Sequence, residues 1–167
     1  MQTRIREVFR SSIDVKELIL QDENLLKSIE AATRAIINAF RMSGSVLFCG
    51  NGGSAADAQH LAAEFSGRFY YDRPPLNSEA LHVNTSYLTA VGNDYSFDEV
   101  YARIVRAKGK KGDVLVALST SGNSENILRA IQAAAEAGMT VIGITGQTGG
   151  RMKDKCDVLI NVPSADT

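Results

Sequence analysis

Short runs of apolar residues recur along most of the chain, each bounded by glycine, proline or polar residues. The runs occupy residues 45–48, 79–83, 114–118, 140–145 and 158–162. Between them apolar residues recur every three or four positions, the spacing of an amphipathic helix. Continuous apolar strands that alternate with helices are typical of a parallel sheet covered on both faces. The pattern predicts an α/β fold, a three-layer αβα sandwich with a five-stranded parallel sheet.

An N-terminal helical pair is predicted before the sheet. The apolar positions that indicate it are Ile5, Val8, Val15 and Leu18 in one stripe, then Leu25, Ile29, Ala32, Ile36 and Phe40 in the next. We expect the pair within residues 1–43 and the α/β core within residues 44–167, together forming one domain. Phe9, Leu18 and Leu20 add more apolar surface than one stripe buries, which favours an oligomer.

The segment after the second predicted strand is expected to contain little helix. His82 is expected inside the strand 79–83, as a packed or hydrogen-bonded residue. Residues 86–91 are expected to form one or two helical turns, and residues 92–95, which include Asn93 and Asp94, a loop.

A glycine-rich turn, residues 49–54, joins the first apolar run to an alanine-rich helical stretch. Such a turn leaves backbone N–H groups free at a helix N-terminus, where the helix dipole also favours an anion. Its glycines, Gly52 and Gly53 among them, let a ligand approach the backbone closely. A second loop of this kind, residues 119–124, follows the run 114–118, so we expect one ligand site between the two loops.

The first loop also satisfies the spacing of a dinucleotide-binding turn, Gly50-x-Gly52-x-x-Ala55. In that fold an acidic residue at the tip of the next strand holds the ribose. Here the next strand ends in His82-Val83-Asn84, so a nicotinamide enzyme is the less favoured alternative.

The second loop carries four hydroxyl side chains at the start of a helix: Ser119, Thr120, Ser121 and Ser124. Hydroxyls and helix amides together can bind a phosphate monoester without a lysine. The alternative is a polar turn in which Asn123 or Ser124 only caps the helix. We favour a sugar phosphate, with further contacts from Asn51, Ser54, Asn93 and Asp94.

One stripe of the helix after the first loop is rich in ionisable residues: Asp57, His60, Glu64 and Arg68. His60 and Glu64 are one turn apart, so they can act together as half of a metal site or as a general acid and base. A solvated surface pair is the common alternative, but the position just beyond the glycine loop favours a functional one.

Charge and cysteine content narrow the function further. A net charge of −1 over 167 residues gives no field that would gather nucleic acid or an anionic membrane. No run approaches the roughly 18 apolar residues of a membrane span. Cys49 and Cys156 are the only thiols, and both lie beside apolar runs, as buried free cysteines do in a reducing compartment. We expect a cytoplasmic protein with no nucleic-acid or membrane partner.

Taken in order, four motifs resemble those of the phosphoheptose isomerases in the sugar isomerase (SIS) family: residues 49–54, 58–64, 92–94 and 118–124. The resemblance implies a flavodoxin-like SIS fold and a homotetramer with sites at subunit boundaries. The implied reaction converts D-sedoheptulose 7-phosphate to D-glycero-D-manno-heptose 7-phosphate by enediol proton transfer, the first step of bacterial heptose precursor synthesis, destined for lipopolysaccharide or another surface glycan.

The resemblance also implies roles for individual residues. The hydroxyls of the second loop match phosphate contacts, and the positions that match sugar contacts are Asn51, Gly52, Gly53, Asn93 and Asp94. His60 and Glu64 match ligands of one zinc ion per subunit, and Glu64 also matches the acid/base catalyst.

In the family a C-terminal helix supplies a glutamine and a histidine that complete the metal site and the acid/base pair. That helix lies past the point that matches Thr167, and we expect a further C-terminal segment to supply it here. The alternative function is a non-catalytic SIS adaptor, a sugar-phosphate-binding protein or one that associates with a replication initiator. Glu64 favours the enzyme, because an adaptor gains nothing from a carboxylate there.

Overall fold

The computed structural model describes residues 1–166 and contains one five-stranded sheet with helices on both faces. Two short 3-10 helices, Phe97–Glu99 and Gly150–Met152, lie in its loops. The α-helices are α1 (Gln2–Gln21), α2 (Glu23–Arg41), α3 (Gly53–Ser66), α4 (Thr85–Asp94), α5 (Val100–Lys108) and α6 (Glu125–Glu136). The strands are β1 (Val46–Cys49), β2 (Ser78–Ala80), β3 (Val114–Leu118), β4 (Thr140–Thr145) and β5 (Val158–Asn161).

All neighbouring strands run parallel, in the order β2-β1-β3-β4-β5. This is the doubly wound order of flavodoxin-like folds, whose chain reverses direction across the sheet between the first and third strands. The predicted three-layer sandwich is confirmed. Ligands in such sheets bind outside the carboxyl ends of the strands at that reversal, which places β1 and β3 at the centre of any site.

The sheet is buried on both faces because successive strand residues point to opposite sides. Leu47 and Leu115 belong to one apolar cluster, with α5 and α6. Phe48 and Val116 belong to the other, with α2 and α3. On α3 the buried residues are Ala58 and Ala62, whose small side chains let this helix lie close to the strands.

The N-terminal helical pair is confirmed, and its two helices differ in burial. The carboxylate of Asp22 caps α2 by accepting hydrogen bonds from the N–H groups of Asn24 and Leu25. Helix α2 buries Leu25, Ala32 and Ala39, whereas α1 buries no residue. The exposed large apolar side chains of α1 are Ile5, Val8, Phe9, Ile13, Leu18 and Leu20.

Two local predictions were wrong. Residues Gly92 to Asp94 form the last turn of α4, because the helix that Asn84 caps continues until the Tyr95 N–H donates to the Val91 carbonyl. His82 lies after β2, which ends at Ala80. It is partly buried, and this burial lowers the pKa of its imidazole.

Among the helices of residues 1–166, none combines the length and the apolar character that crossing a bilayer requires.

Candidate functional site

A cavity of about 410 Å³ opens at the carboxyl ends of β1, β3 and β4. Its walls include six residues predicted for one ligand site: Asn51, Ser54, Ser119, Thr120, Ser121 and Ser124. The turn after β4 adds Gln147 and Thr148, which the sequence did not single out. Two loops more than 60 residues apart in the chain thus form one polar cavity, as their position at the strand ends requires.

The hydroxyls of the serine-rich loop line the cavity, and three of them also form hydrogen bonds within the loop. The Ser119 and Ser124 Oγ atoms lie 3.3 Å apart. Ser124 is the N-cap residue of α6, yet no side-chain cap hydrogen bond is formed at that helix terminus. The Asn123 amide instead donates to the Ser121 carbonyl and accepts from the Arg151 N–H. The interpretation of this loop as a simple helix cap is therefore not supported.

The residues lining this cavity are uncharged. An anion would therefore be held by hydroxyl groups and by the positive end of α6, whose first N–H groups lack partners within the helix. That arrangement suits the terminal group of a phosphate ester.

The loop backbone at the cavity wall is held tightly against the turn after β4. Gly122 has φ +65°, and a Cβ there would lie 2.2 Å from the Gly149 carbonyl oxygen. A Cβ on Gly150 would lie 2.3 Å from the Ser121 carbonyl oxygen. The Met152 N–H donates a 3.1 Å hydrogen bond to the Gly122 carbonyl. These two loops can pack at this distance only because glycines face each other.

The glycine-rich turn is also held in place by a hydrogen bond from a residue of α5. The buried Tyr101 hydroxyl donates a hydrogen bond to the Gly50 carbonyl. Burial raises the pKa of Tyr101 to about 12, so the phenol remains a donor at neutral pH. A Cβ on Gly52 or Gly53 would meet no atom within 4 Å, so their backbone is open to an approaching ligand.

The sequence alone did not single out Asn126. Its side chain exchanges two 2.9 Å hydrogen bonds with the Asn51 side chain, each amide donating to the other's oxygen. Asn126 is 3% exposed. The available signal was a polar residue on the buried stripe of α6, in line with Ala130 and Ala134.

His60 and Glu64 lie in a different place from the polar cavity. Their side chains line a second cavity of about 590 Å³, whose other walls include the aromatic residues Phe65, Phe69, Tyr70 and Tyr71. Glu64 comes ten residues after Ser54 on α3, which corresponds to about 15 Å of helix rise. Within one chain, the predicted acid/base residue does not face the predicted phosphate site.

Asn93 and Asp94 occupy a third place, at the end of α4. Their side chains are exposed, and the Asn93 amide donates a 2.9 Å hydrogen bond to the Asp94 carboxylate. They line neither cavity.

The pair on α3 has the spacing of two ligands on one metal ion. His60 Nε2 and Glu64 Oε1 are 3.6 Å apart, close to the roughly 3.4 Å between neighbouring ligand atoms of a tetrahedral zinc site with bonds of about 2.1 Å. In the described part of the chain, no group of three or more His, Cys, Asp or Glu residues could hold a metal. The two side chains fit a shared metal but cannot complete its coordination.

Comparison with known proteins shows that the chain contains a SIS domain. A family model of the SIS domain matches residues 13–146. This agrees with the doubly wound sheet and with the serine-rich cavity at its centre.

Individual relatives narrow the class. The phosphoheptose isomerase of Mycobacterium tuberculosis (strain ATCC 25177 / H37Ra) is 52% identical over 161 residues, which are 96% of this chain and 82% of that protein. The structure of the Neisseria gonorrhoeae phosphoheptose isomerase matches with a TM-score of 0.90 and 45% identity, over 99% of this chain and 88% of that one. The structure of the Francisella tularensis phosphoheptose isomerase matches with a TM-score of 0.93 and 37% identity, over 99% of this chain and 87% of that one. The chain belongs to the phosphoheptose isomerase family of SIS-domain proteins, and the resemblance found in its sequence is confirmed.

Proposed function

We propose that this chain converts D-sedoheptulose 7-phosphate to D-glycero-D-manno-heptose 7-phosphate, supplying heptose for a bacterial surface glycan. The observation that carries the proposal is the uncharged cavity in which four hydroxyl side chains surround the start of α6. A sugar phosphate needs such a place for its terminal group and polar side chains for its hydroxyls. Membership of the phosphoheptose isomerase family supports the choice of a seven-carbon sugar.

The separation of Glu64 from the polar cavity supports a site shared between subunits. If each chain holds phosphate in its own cavity, the carboxylate that reaches the reactive end of the sugar comes from a neighbouring copy. The unburied apolar face of α1 supports an assembly, and we propose the homotetramer that the resemblance implies. Asn93 and Asp94, exposed at the end of α4, are available to such a shared site.

The chemistry requires one proton to move between two neighbouring carbons. The Glu64 carboxylate takes the proton from C1 of the ketose, leaving an enediol, and returns a proton to C2 to give the aldose. The C2 oxygen gains a proton and the O1 hydroxyl loses one, so the overall composition does not change. Proton transfer by one positioned group contributes roughly 10² to 10⁴ in rate.

Zinc is a further part of the proposal. His60 and Glu64 would provide two ligands, and further ligands would be needed to complete the coordination. When bound, the ion would polarise the oxygens of the reacting carbons. The proposed location is the cytoplasm, in keeping with the unpaired thiols of Cys49 and Cys156.

The decisive experiment measures turnover of sedoheptulose 7-phosphate by the unsubstituted protein, the Glu64→Gln variant and a chelator-treated sample. Glu136→Gln, an exposed carboxylate on α6, is the matched control. We expect Glu64→Gln to lose at least roughly a hundredfold in kcat, and Glu136→Gln to match the unsubstituted protein. Equal turnover by both variants would remove Glu64 from the mechanism. Binding of the sugar phosphate without turnover by any sample would favour the adaptor.

A further inference from the structure

We propose that Asn126 is a positioning residue for the sugar, acting through Asn51. Asn126 is buried and does not line the cavity, whereas Asn51 does. The two amides form a closed ring of two hydrogen bonds, each 2.9 Å long. This inference rests on the proposed function, because it assigns the paired amide to the sugar part of the same substrate.

The ring determines what Asn51 can offer a ligand. A primary amide has two N–H donors and one oxygen with two lone pairs. The ring uses one donor and one lone pair of Asn51, which leaves one of each for the cavity. Without Asn126 the Asn51 side chain would be free to rotate, and a ligand would have to order it on binding. The ring therefore keeps a donor and an acceptor fixed side by side, a pattern that suits sugar hydroxyls.

The same ring joins the two loops of the cavity. Asn51 belongs to the turn after β1, and Asn126 follows the N-cap residue Ser124 by two positions on α6. The two residues are 75 positions apart in the chain. The ring thus sets the distance between the proposed phosphate contacts and the proposed sugar contact. Replacing Asn126 should affect the sugar contact more than the hydroxyl groups that hold phosphate.

The test compares the binding of two ligands by calorimetry, inorganic phosphate and sedoheptulose 7-phosphate. All proteins carry Glu64→Gln so that the sugar is not converted. The variants are Asn51→Ala, Asn126→Ala, the double variant, and Asn126→Leu, which keeps the side-chain volume. Gln132→Ala, an exposed amide on the same helix, is the control.

We expect Asn126→Ala and Asn126→Leu to weaken sugar-phosphate binding about tenfold, a size expected for one or two lost hydrogen bonds. Phosphate binding should stay within about twofold, and the double variant should be no weaker than Asn51→Ala, because both residues act through one contact. The Gln132→Ala control should bind both ligands as tightly as the Glu64→Gln parent protein does.

Three results would overturn the inference: unchanged sugar-phosphate binding, an equal loss for both ligands, or additive losses in the double variant. Thermal unfolding of each variant identifies a general loss of structure, which lowers the affinity for both ligands together. If the parent protein bound no sugar phosphate at all, the proposed function itself would fail.

Discussion

The Arg73 guanidinium donates a 2.7 Å hydrogen bond to the backbone carbonyl of Glu64. It donates a second one, of 2.8 Å, to the carbonyl of Phe65. Both carbonyls lie in the last turn of α3, where backbone oxygens have no partner within the helix. The proline-containing loop thus closes the end of the helix that carries His60 and Glu64.

Arg73→Ala should lower the free energy of unfolding by about 1.5–3 kcal/mol, the usual value of hydrogen bonds to a charged group. Arg73→Lys should recover only part of that, since one ammonium cannot match a two-pronged guanidinium. Urea denaturation measures the difference. Arg68→Ala, exposed just past α3, is the control and should change stability little. Equal stability of Arg73→Ala and Arg68→Ala would show that the contacts contribute nothing.

Ser124→Ala should weaken the binding of inorganic phosphate by at least about tenfold, because it removes a hydroxyl that lines the proposed phosphate site at the start of α6. Calorimetric titration gives the dissociation constant. Ser66→Ala is the control, since its hydroxyl donates to the Ala62 carbonyl within α3. Unchanged phosphate affinity in Ser124→Ala would place the anion elsewhere.

Asp113 should make the fold sensitive to acid. Burial alone would raise the pKa of this carboxyl, but hydrogen bonds from Lys110 and Ser45 outweigh it and hold the pKa below its ordinary value. Because the pKa is lowered on folding, the ionised carboxylate stabilises the fold at pH values above about 3.9, the pKa of an aspartate in the unfolded chain. This contribution is lost as the pH falls through the folded pKa.

Asp113→Asn should therefore cost about 2–3 kcal/mol of unfolding free energy at pH 7, and this deficit should shrink under acid conditions. Urea denaturation at pH 7 and near pH 3 measures it. Asp154→Asn, at an exposed site, is the control and should change stability little at pH 7. A deficit that stayed constant between the two pH values would contradict this role for Asp113.

Phe9→Glu should reduce the molecular mass of the assembly in solution. The substitution puts a charge on the apolar face of α1, where Phe9 is 69% exposed in the single chain. Light scattering after size exclusion gives the mass. Gln21→Glu adds the same charge at an exposed polar site of the same helix and should leave the mass unchanged. An identical mass for both variants would assign the assembly to another surface.

Two inactive variants should restore each other's activity when they are co-expressed. Ser124→Asp places a carboxylate where phosphate is expected, and Glu64→Gln removes the acid/base group. If each site combines the cavity of one subunit with Glu64 of another, mixed assemblies contain sites in which both are intact. Activity of mixtures, compared with the sum of the separate variants, is the measurement. No gain in a mixed assembly verified by mass spectrometry would place Glu64 with its own chain's cavity.

The sequence predicted β3 and β4 with their observed limits, because both are continuous apolar runs between strong turn residues. It also predicted that the loops containing Asn51 and Ser119 line one site, because the carboxyl ends of parallel strands lie at one edge of the sheet. It could not reveal the pairing of Asn51 with Asn126, which depends on how α6 packs. Nor did it show that ten residues of α3 carry Glu64 away from the cavity, because motif order gives no distance.

The glycine contact between the serine-rich loop and the turn after β4 has a consequence for substrate choice. With Gly122 and Gly149 in backbone contact, the serine-rich loop cannot shift toward the turn after β4 to admit a bulkier terminal group. The end of the cavity proposed for phosphate is consequently limited in size. A change of substrate preference in this scaffold would have to alter the end of the cavity proposed for the sugar. The end proposed for phosphate would stay as it is.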